Sequence, residues 1–408
     1  MIENTFVLLD IDGVLIQPGG YRRSYADTVN YYLTFLGQPH LHVNDRIAET
    51  FEFFSIQAEW DMVPLTIAAF LEWFAEVRGE HPNFISIDQS GNLPSIGDQE
   101  QFLSFLKNKI IDYSKALSNK EIPALAIYHN CIRNQQHSVL PRIWNDPILE
   151  EILLNSLDIY RSPLFRRLET QLLGTEYMNN RFQLNIQEQI APNLEVVDFP
   201  ILSEEHRDRL IQKKDGFHTA ILTARPNLLP DAIGATEADS HFILPEAEIA
   251  FRLIGWDEHA IPVIGVGSLS YIENKYHLPK DSFLKPHPFH SIASILNTMI
   301  QSQTEALETA KMVYDRWVEE NLLSNPLGQF IQEGSKIRIA VFEDSASGIQ
   351  SCISAGKIFS DYGYYPEIEA YGIYSTEEKK LQLQNLGAQI YPNVNEALDV
   401  FFNTTKAF

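Results

Sequence analysis

The stretch FVLLDIDGVLIQPGG, residues 6–20, places two aspartates one residue apart directly after four apolar residues. The apolar run predicts a buried strand, and a carboxylate is costly to bury without a partner. We therefore expect Asp10 and Asp12 at the end of that strand, where a cation can meet them. Residues two apart on a strand lie on the same side, so both carboxylates can serve one site.

The composition is that of a globular protein with an acidic surface. The chain has 408 residues, of which 45% are hydrophobic and 21% charged, and its net charge is −23. This length predicts more than one domain. The negative charge argues against nucleic acid or an anionic membrane as a partner.

Several features together indicate a cytoplasmic protein. The two cysteines, Cys131 and Cys352, lie far apart, which fits a reducing compartment. No apolar run reaches the roughly 18 to 20 residues of a membrane helix. Asp10 and Asp12 come too early to allow an apolar signal segment.

Further apolar, β-branched stretches follow the first strand at wide intervals, separated by helix-like segments. This alternation predicts a Rossmann-like α/β fold with a parallel sheet, whose ligands gather at the carboxyl ends of the strands. Polar residues stand at those ends, namely Thr223 in the stretch FHTAILTARP and Glu343 and Asp344 in the stretch KIRIAVFEDS. The later stretches are FHTAILTARP, IPVIGVGSL, KIRIAVFEDS, AYGIYS and AQIYP.

About 200 residues separate the first two predicted strands, far more than a crossover between parallel strands needs. We therefore expect residues 19–205 to form an inserted, mainly helical cap domain, and residues 1–18 and 206–408 to form the α/β core. The aromatic residues of FEFFSIQAEWDMVP and FLEWF are expected to form the insert's own core. A second helical insertion is predicted near residues 288–335.

The paired aspartates fit phosphoryl chemistry. A carboxylate can act as a nucleophile toward phosphorus, and a second carboxylate two residues on can move the protons. A divalent metal ion, most often Mg²⁺ where the ligands are carboxylates, would hold the acids together and neutralise phosphate oxygens.

Four motifs, DIDGV, LTARP, LKPHP and VFEDSASGI, occur in an order and context that resemble the haloacid dehalogenase (HAD) superfamily. The resemblance covers about half of the chain, the α/β core. Within this superfamily, the sequence is similar to the phosphatase and phosphomutase branch, in which a cap domain is inserted after the first motif. The presence of Asp12 favours phosphoryl transfer over dehalogenation.

The resemblance implies roles for individual residues. Asp10 matches the nucleophile, and Asp12 matches the general acid and base whose backbone carbonyl reaches the metal. Thr223 matches the hydroxyl that hydrogen-bonds a phosphoryl oxygen. Lys285 matches the lysine that neutralises the nucleophile and the transferred group, although two rival lysines, Lys275 and Lys280, lie close in the sequence.

The resemblance also implies a Mg²⁺ site. Asp344 matches a direct ligand of the metal ion, and Asp10 and Asp12 are further ligands. Glu343 is either a ligand itself or an acid that contacts the ligands without binding the metal ion. Arg225 either contacts the substrate or caps a loop. His287 and His290 are spaced like a metal pair, but without further ligands they are expected at the start of a helix.

These roles imply a Mg²⁺-dependent phosphohydrolase that acts on a small phosphorylated metabolite through an aspartyl-phosphate on Asp10. Two alternatives remain open: a phosphomutase, and a regulatory or binding protein that keeps the HAD fold and uses its cap for a protein partner. The sequence leaves the identity of the substrate and the oligomeric state open.

Overall fold

A computed structural model of the chain describes residues 4–81, 86–89, 93–117, 121–212, 216–229, 243–322 and 324–404. The chain divides into two compact units, a core unit of Met1–Pro18 and Asp198–Phe408 and an inserted unit of Gly19–Val197. All seven candidate site residues are described and belong to the core unit.

The chain returns to the core unit at Asp198, earlier than the expected return at residue 206. The reason is a short antiparallel pairing between Phe199–Pro200 and Ile16–Gln17, both of which belong to the core unit. Strands of two residues carry no periodicity, so the sequence pattern shows only the helix that begins at Glu204.

The central sheet has six strands in the order β5-β4-β1-β6-β7-β8, and all neighbouring strands are parallel. This arrangement confirms the predicted Rossmann-like α/β class. The strands are β1 Asn4–Leu9, β2 Ile16–Gln17, β3 Phe199–Pro200, β4 Phe217–Leu222, β5 Val263–Ile264, β6 Lys336–Glu343, β7 Tyr365–Ile373 and β8 Gln389–Tyr391.

The inserted unit is mainly helical, and helix α3 lies at its centre. Residues 61–75 of α3 are buried, because this helix packs against α1, α4, α5 and α6. Phe51, Phe70 and Trp73 are buried in this unit, whereas Phe53 is 76% exposed. Its helices are α1 Gly20–Phe35, α2 Asp45–Phe53, α3 Glu59–Arg78, α4 Gln99–Ala116, α5 Pro123–Asn134, α6 Pro163–Leu173, α7 Thr175–Phe182 and α8 Asn193–Val196, with a π-helix at Glu150–Leu154.

Helices cover both faces of the sheet in the core unit. Alternate residues of β1 point to opposite faces: Phe6 and Leu8 pack with α12, α13 and α14, and Val7 and Leu9 pack with α10 and α16. The core helices are α9 Glu204–Leu210, α10 Glu246–Ile254, α11 Val266–Lys275, α12 Pro288–Asn297, α13 Gln303–Val318, α14 Ala346–Asp361, α15 Glu377–Asn385 and α16 Val394–Thr404.

The helical segment expected as an insertion near residues 288–335 is part of the sheet's helical layer. Helix α12 is buried along most of its length and packs against β4, β1 and α14, and α13 packs on α12. Its apolar residues therefore contribute to the main core on one face of the sheet. None of the described helices combines the length and hydropathy that a bilayer span requires.

His290 on α12 is buried and neutral in the folded protein. Its Nε2 lies 2.9 Å from the carbonyl oxygen of Ile264. Burial lowers the pKa of His290 to about 3, and the nearby charge of Lys285 adds to this effect. The hydrogen bond to Ile264 accounts for the position of this histidine in the core, and His287 serves as the N-cap of the same helix.

We predict that His290→Gln makes the stability of the protein less sensitive to acid. The unfolded chain takes up a proton at His290 below its ordinary pKa of about 6.5, whereas the folded chain does not. This residue therefore stabilises the fold fully above that pH, and its contribution falls by about 1.4 kcal/mol per pH unit below it. Urea unfolding between pH 7 and pH 5 measures the slope.

The matched control is His259→Gln at an exposed histidine, which should keep the native slope. An unchanged slope in His290→Gln would contradict the assignment of this acid sensitivity to His290.

Candidate active site

The candidate residues meet at the carboxyl edge of the central sheet. Leu9 of β1 pairs with Ile221 of β4 on one side and with Phe342 of β6 on the other, so the three strands end together. The Asp10 backbone N–H donates to the carbonyl of Phe342 at 3.0 Å. Parallel strands thus bring Asp10, Thr223 and Glu343 to one edge, as the sequence pattern predicts.

Lys285 lies between two buried carboxylates. Its Nζ donates to Oε1 of Glu343 at 2.6 Å and lies 3.2 Å from Oδ1 of Asp10. It also donates to the carbonyl of Leu222 at 3.3 Å. All three charged side chains are at least nine-tenths buried. Each charged group loses hydration when it is buried, so the stability of the cluster depends on the contacts between its members.

The pKa values of this cluster shift in one direction. Burial raises the pKa of Asp10 well above its usual range; Lys285 opposes this shift, and Glu343, Asp344 and Asp12 add to it. Burial likewise raises the pKa of Glu343. Burial alone would lower the pKa of Lys285, but Asp10 and Glu343 outweigh it and the lysine stays protonated. Burial is thus the main cause of the raised pKa values of the two acids, and the neighbouring acids are the cause of the raised pKa of the lysine.

The first turn of α14 holds Glu343 in place. Oε2 of Glu343 accepts hydrogen bonds from the backbone N–H of Ser345 at 3.2 Å and from its hydroxyl at 2.7 Å. Ser345 is also the N-cap of α14, accepting from the N–H of Gly348. A Cβ at Gly348 would lie 1.8 Å from Oε1 of Glu343, so this close approach requires glycine.

Asp344 lies at the same edge and is partly exposed. Its Oδ2 forms an ion pair with Nζ of Lys379 at the start of α15. Gly13 adopts φ +73°, and a Cβ there would lie 2.6 Å from the same carboxylate oxygen. The left-handed backbone and the close contact both account for glycine directly after the paired aspartates.

Thr223 is fully buried at the end of β4. Its backbone N–H donates to the carbonyl of Ile264 at 3.1 Å, and its hydroxyl oxygen accepts from the backbone N–H of Arg225 at 3.2 Å. The hydroxyl hydrogen takes no part in the latter contact and is a potential donor to an anionic oxygen.

Arg225 is held between two carboxylates, with 1% of its side chain exposed. Its Nε and one Nη bind the two oxygens of Asp12 at 2.9 and 2.6 Å. The same Nη binds Oδ2 of Asp198 at 2.7 Å. The guanidinium of Arg225 therefore contacts two acids, Asp12 and Asp198, and the expected contact of Arg225 with substrate stays a prediction.

Three acids form a group that could hold a metal ion. One oxygen from each of Asp10, Glu343 and Asp344 lies within 4.8 Å of the others, and carboxylate oxygens suit a hard divalent cation. Among the residues that the structure describes, five carboxylates in ion pairs or in the acid group at this edge face three cations, so two negative charges remain when all eight groups are ionised. The carboxylates are Asp10, Asp12, Asp198, Glu343 and Asp344, and the cations are Lys285, Arg225 and Lys379.

Two residues of this site have no counterpart in the sequence motifs. Asp198 precedes a strand of only two residues, and Lys379 lies in a charged helical segment that reads as an exposed surface. The rival lysines lie elsewhere: Lys275 forms an ion pair with Glu308, and Lys280 is half-buried in the loop before Lys285. Only spatial proximity reveals Asp198 and Lys379.

Two solved structures resemble this chain. The X-ray structure of a Northeast Structural Genomics Consortium target covers 100% of both chains with a TM-score of 0.55 at 14% identity. Phosphatase Tt82 from Thermococcus thioreducens covers 89% of this chain and 92% of its own, with a TM-score of 0.40 at 12% identity. No family model and no curated protein sequence matches the chain. At 14% identity, the similarity to the first structure shows a shared fold alone. The similarity to the second structure is too low to support a conclusion about this chain.

We predict that Gly348→Ala destabilises the protein by about 1–3 kcal/mol, the usual range for overpacking a tight site. Alanine is favoured over glycine in a helix by about 1 kcal/mol, so the loss would come from the contact with Glu343. Thermal or urea unfolding measures the change.

Gly356→Ala in the same helix is the matched control, because its new methyl group meets the flexible end of the Ile368 side chain. It should cost less than Gly348→Ala. Equal stability of native protein and Gly348→Ala would contradict the close packing of Gly348 on Glu343.

Proposed function

We propose that this protein is a Mg²⁺-dependent phosphohydrolase that acts on a small phosphorylated metabolite through an aspartyl-phosphate on Asp10. The observation that carries the proposal is the buried contact of Asp10 with Lys285, 3.2 Å apart, next to the acids Glu343 and Asp344. Phosphoryl transfer needs a nucleophile and fixed positive charge close to the transferred group. These groups supply the nucleophile, one fixed cation and the ligands for a second.

The proposed reaction has two steps. First, an oxygen of Asp10 attacks phosphorus, the bond between phosphorus and the leaving oxygen breaks, and Asp12 gives that oxygen a proton. Water then attacks phosphorus, the bond between phosphorus and Asp10 breaks, and the Asp12 carboxylate takes a proton from the water. Phosphate leaves, and both aspartates return to their starting states.

Lys285 and Thr223 would bind the transferred group. Lys285 keeps its proton because two carboxylates surround it, so it offers a fixed positive charge as negative charge builds on the phosphoryl oxygens. Thr223 would donate its hydroxyl hydrogen to one of those oxygens. The guanidinium of Arg225 binds Asp12, and the predicted contact of Arg225 with the substrate remains part of the proposal.

Asp10, Glu343 and Asp344 would hold the Mg²⁺, together with the backbone carbonyl of Asp12 that the resemblance implies. The bound ion supplies positive charge to the phosphoryl oxygens. The two uncompensated negative charges of the site support a divalent cation. The substrate would be a small anion and neither nucleic acid nor membrane, given the net charge of −23.

The buried charges favour a catalytic role over a purely regulatory one. Three buried ionisable groups lower stability unless their contacts offset the lost hydration, and a protein that only binds a partner through its inserted unit has no use for them. A phosphomutase would use the same aspartyl-phosphate but transfer the phosphoryl group to an acceptor other than water. The release of free phosphate distinguishes hydrolysis from that transfer.

We predict that phosphate release from a panel of phosphorylated metabolites requires Mg²⁺ and stops with a chelator. Asp10→Asn should lower turnover by about 10⁴-fold or more, as loss of a nucleophile does, because an amide oxygen forms no hydrolysable acyl phosphate. Circular dichroism checks the fold. Substantial activity in Asp10→Asn would exclude Asp10 as the nucleophile, and conversion without free phosphate would point to the mutase.

We also predict that Lys285→Met lowers turnover by about 10²–10³-fold, the usual loss when one stabilising donor is removed. Methionine keeps the length of the side chain and removes its charge. Lys280→Met, in the same loop, is the matched control and should behave as the native protein does. The opposite ranking of the two variants would place the functional lysine at residue 280.

A further inference from the structure

Asp198 is a buried carboxylate that contacts the same arginine as Asp12. None of its side chain is exposed, and burying a charged group costs several kcal/mol unless a partner compensates. One partner is Arg225, whose Nη lies 2.7 Å from Oδ2 of Asp198 and 2.6 Å from Oδ1 of Asp12. One guanidinium therefore joins a buried acid to the acid that the reaction needs.

The backbone joins the same two segments. Asp198 directly precedes β3, which pairs with β2 through Ile16 and Pro200. The segment between Asp12 and β2 is a tight turn, in which the N–H of Gly13 donates to the carbonyl of Ile16 at 2.8 Å. Asp12 and Asp198 are thus fixed relative to each other twice, through the short sheet and through Arg225.

We propose that Asp198 is a positioning residue that sets the orientation of the Asp12 carboxylate through Arg225. This proposal rests on the proposed function, in which Asp12 gives and takes the protons. The planar guanidinium binds both oxygens of Asp12 and so fixes the plane of the carboxylate. Asp198 in turn fixes the plane of the guanidinium. Asp12 itself is 32% exposed, so its orientation depends on this contact more than on packing.

The two steps of the reaction respond differently when Asp12 is misoriented. With 4-nitrophenyl phosphate, the leaving nitrophenolate is a weak base and departs without a proton. Asp10 can then form its bond to phosphorus although Asp12 gives nothing. The second step still needs Asp12, because the attacking water must lose a proton as the bond between phosphorus and Asp10 breaks.

Rapid mixing of Asp198→Asn with 4-nitrophenyl phosphate and Mg²⁺ tests the proposal. We expect a burst of about one nitrophenolate per protein, followed by turnover about 10²-fold or more below native, the usual share of acid–base catalysis. Asp12→Asn should give the same pattern. Glu205→Gln, an exposed acid near the start of α9, is the matched control and should match the native protein. Native turnover in Asp198→Asn, or an equal loss of both steps, would overturn the proposal.

Two further measurements test the proposal if Asp198→Asn does not fold or if the native protein does not hydrolyse 4-nitrophenyl phosphate. Arg225→Lys keeps the buried charge but cannot bind two carboxylates in one plane, so it should reproduce the burst even if Asp198→Asn does not fold. The Nε–H resonance of Arg225 reports the contact of Arg225 with Asp12 and needs no enzymatic activity. In the native protein we expect this hydrogen to be protected from exchange with solvent. It should lose protection in Asp198→Asn or, where that variant does not fold, in Asp198→Glu. Unchanged protection would overturn the proposal. Absence of nitrophenolate from native protein would instead refute the proposed function, and the resonance would then decide the role of Asp198.

Discussion

The buried contact of Lys285 with Asp10 and Glu343 is the interaction on which the rest of the site depends. Without the lysine, two carboxylates would remain buried without a positively charged partner between them, and breaking such a contact costs about 3–5 kcal/mol. The parallel sheet makes the contact possible because its strands end at one edge. Even with Lys285 in place, the acids outnumber the cations among the described residues of this edge, and this imbalance is the physical reason for proposing a divalent metal ion.

The backbone around this contact is adapted to hold charges close together. Gly348 lets the first turn of α14 approach Glu343, and Gly13 lets the turn after β1 approach Asp344. Ser345 both caps α14 and binds Glu343. The local structure thus fixes the acids before any ligand arrives, which is what a site that stabilises developing charge requires.

Much of this arrangement could be predicted from the sequence, and the remainder could not for physical reasons. Long apolar strands ending in Asp10, Thr223 and Glu343 carry a strong local pattern, so the sheet and its functional edge follow from it. Asp198 and Lys379 reach the site through tertiary packing, which local periodicity does not record. The core unit begins again at Asp198, eight residues before the predicted bound at residue 206, because a strand of only two residues leaves no periodic pattern in the sequence.

The most direct test of this account is to identify the residue that carries the phosphoryl group. The protein would be mixed with a substrate that releases phosphate, quenched in acid within milliseconds, digested and analysed by mass spectrometry. We expect a phosphoryl group on Asp10, which appears during turnover and is removed by hydroxylamine as an acyl phosphate would be. Phosphate release during turnover with a phosphoryl group on another residue, or on none, would contradict it.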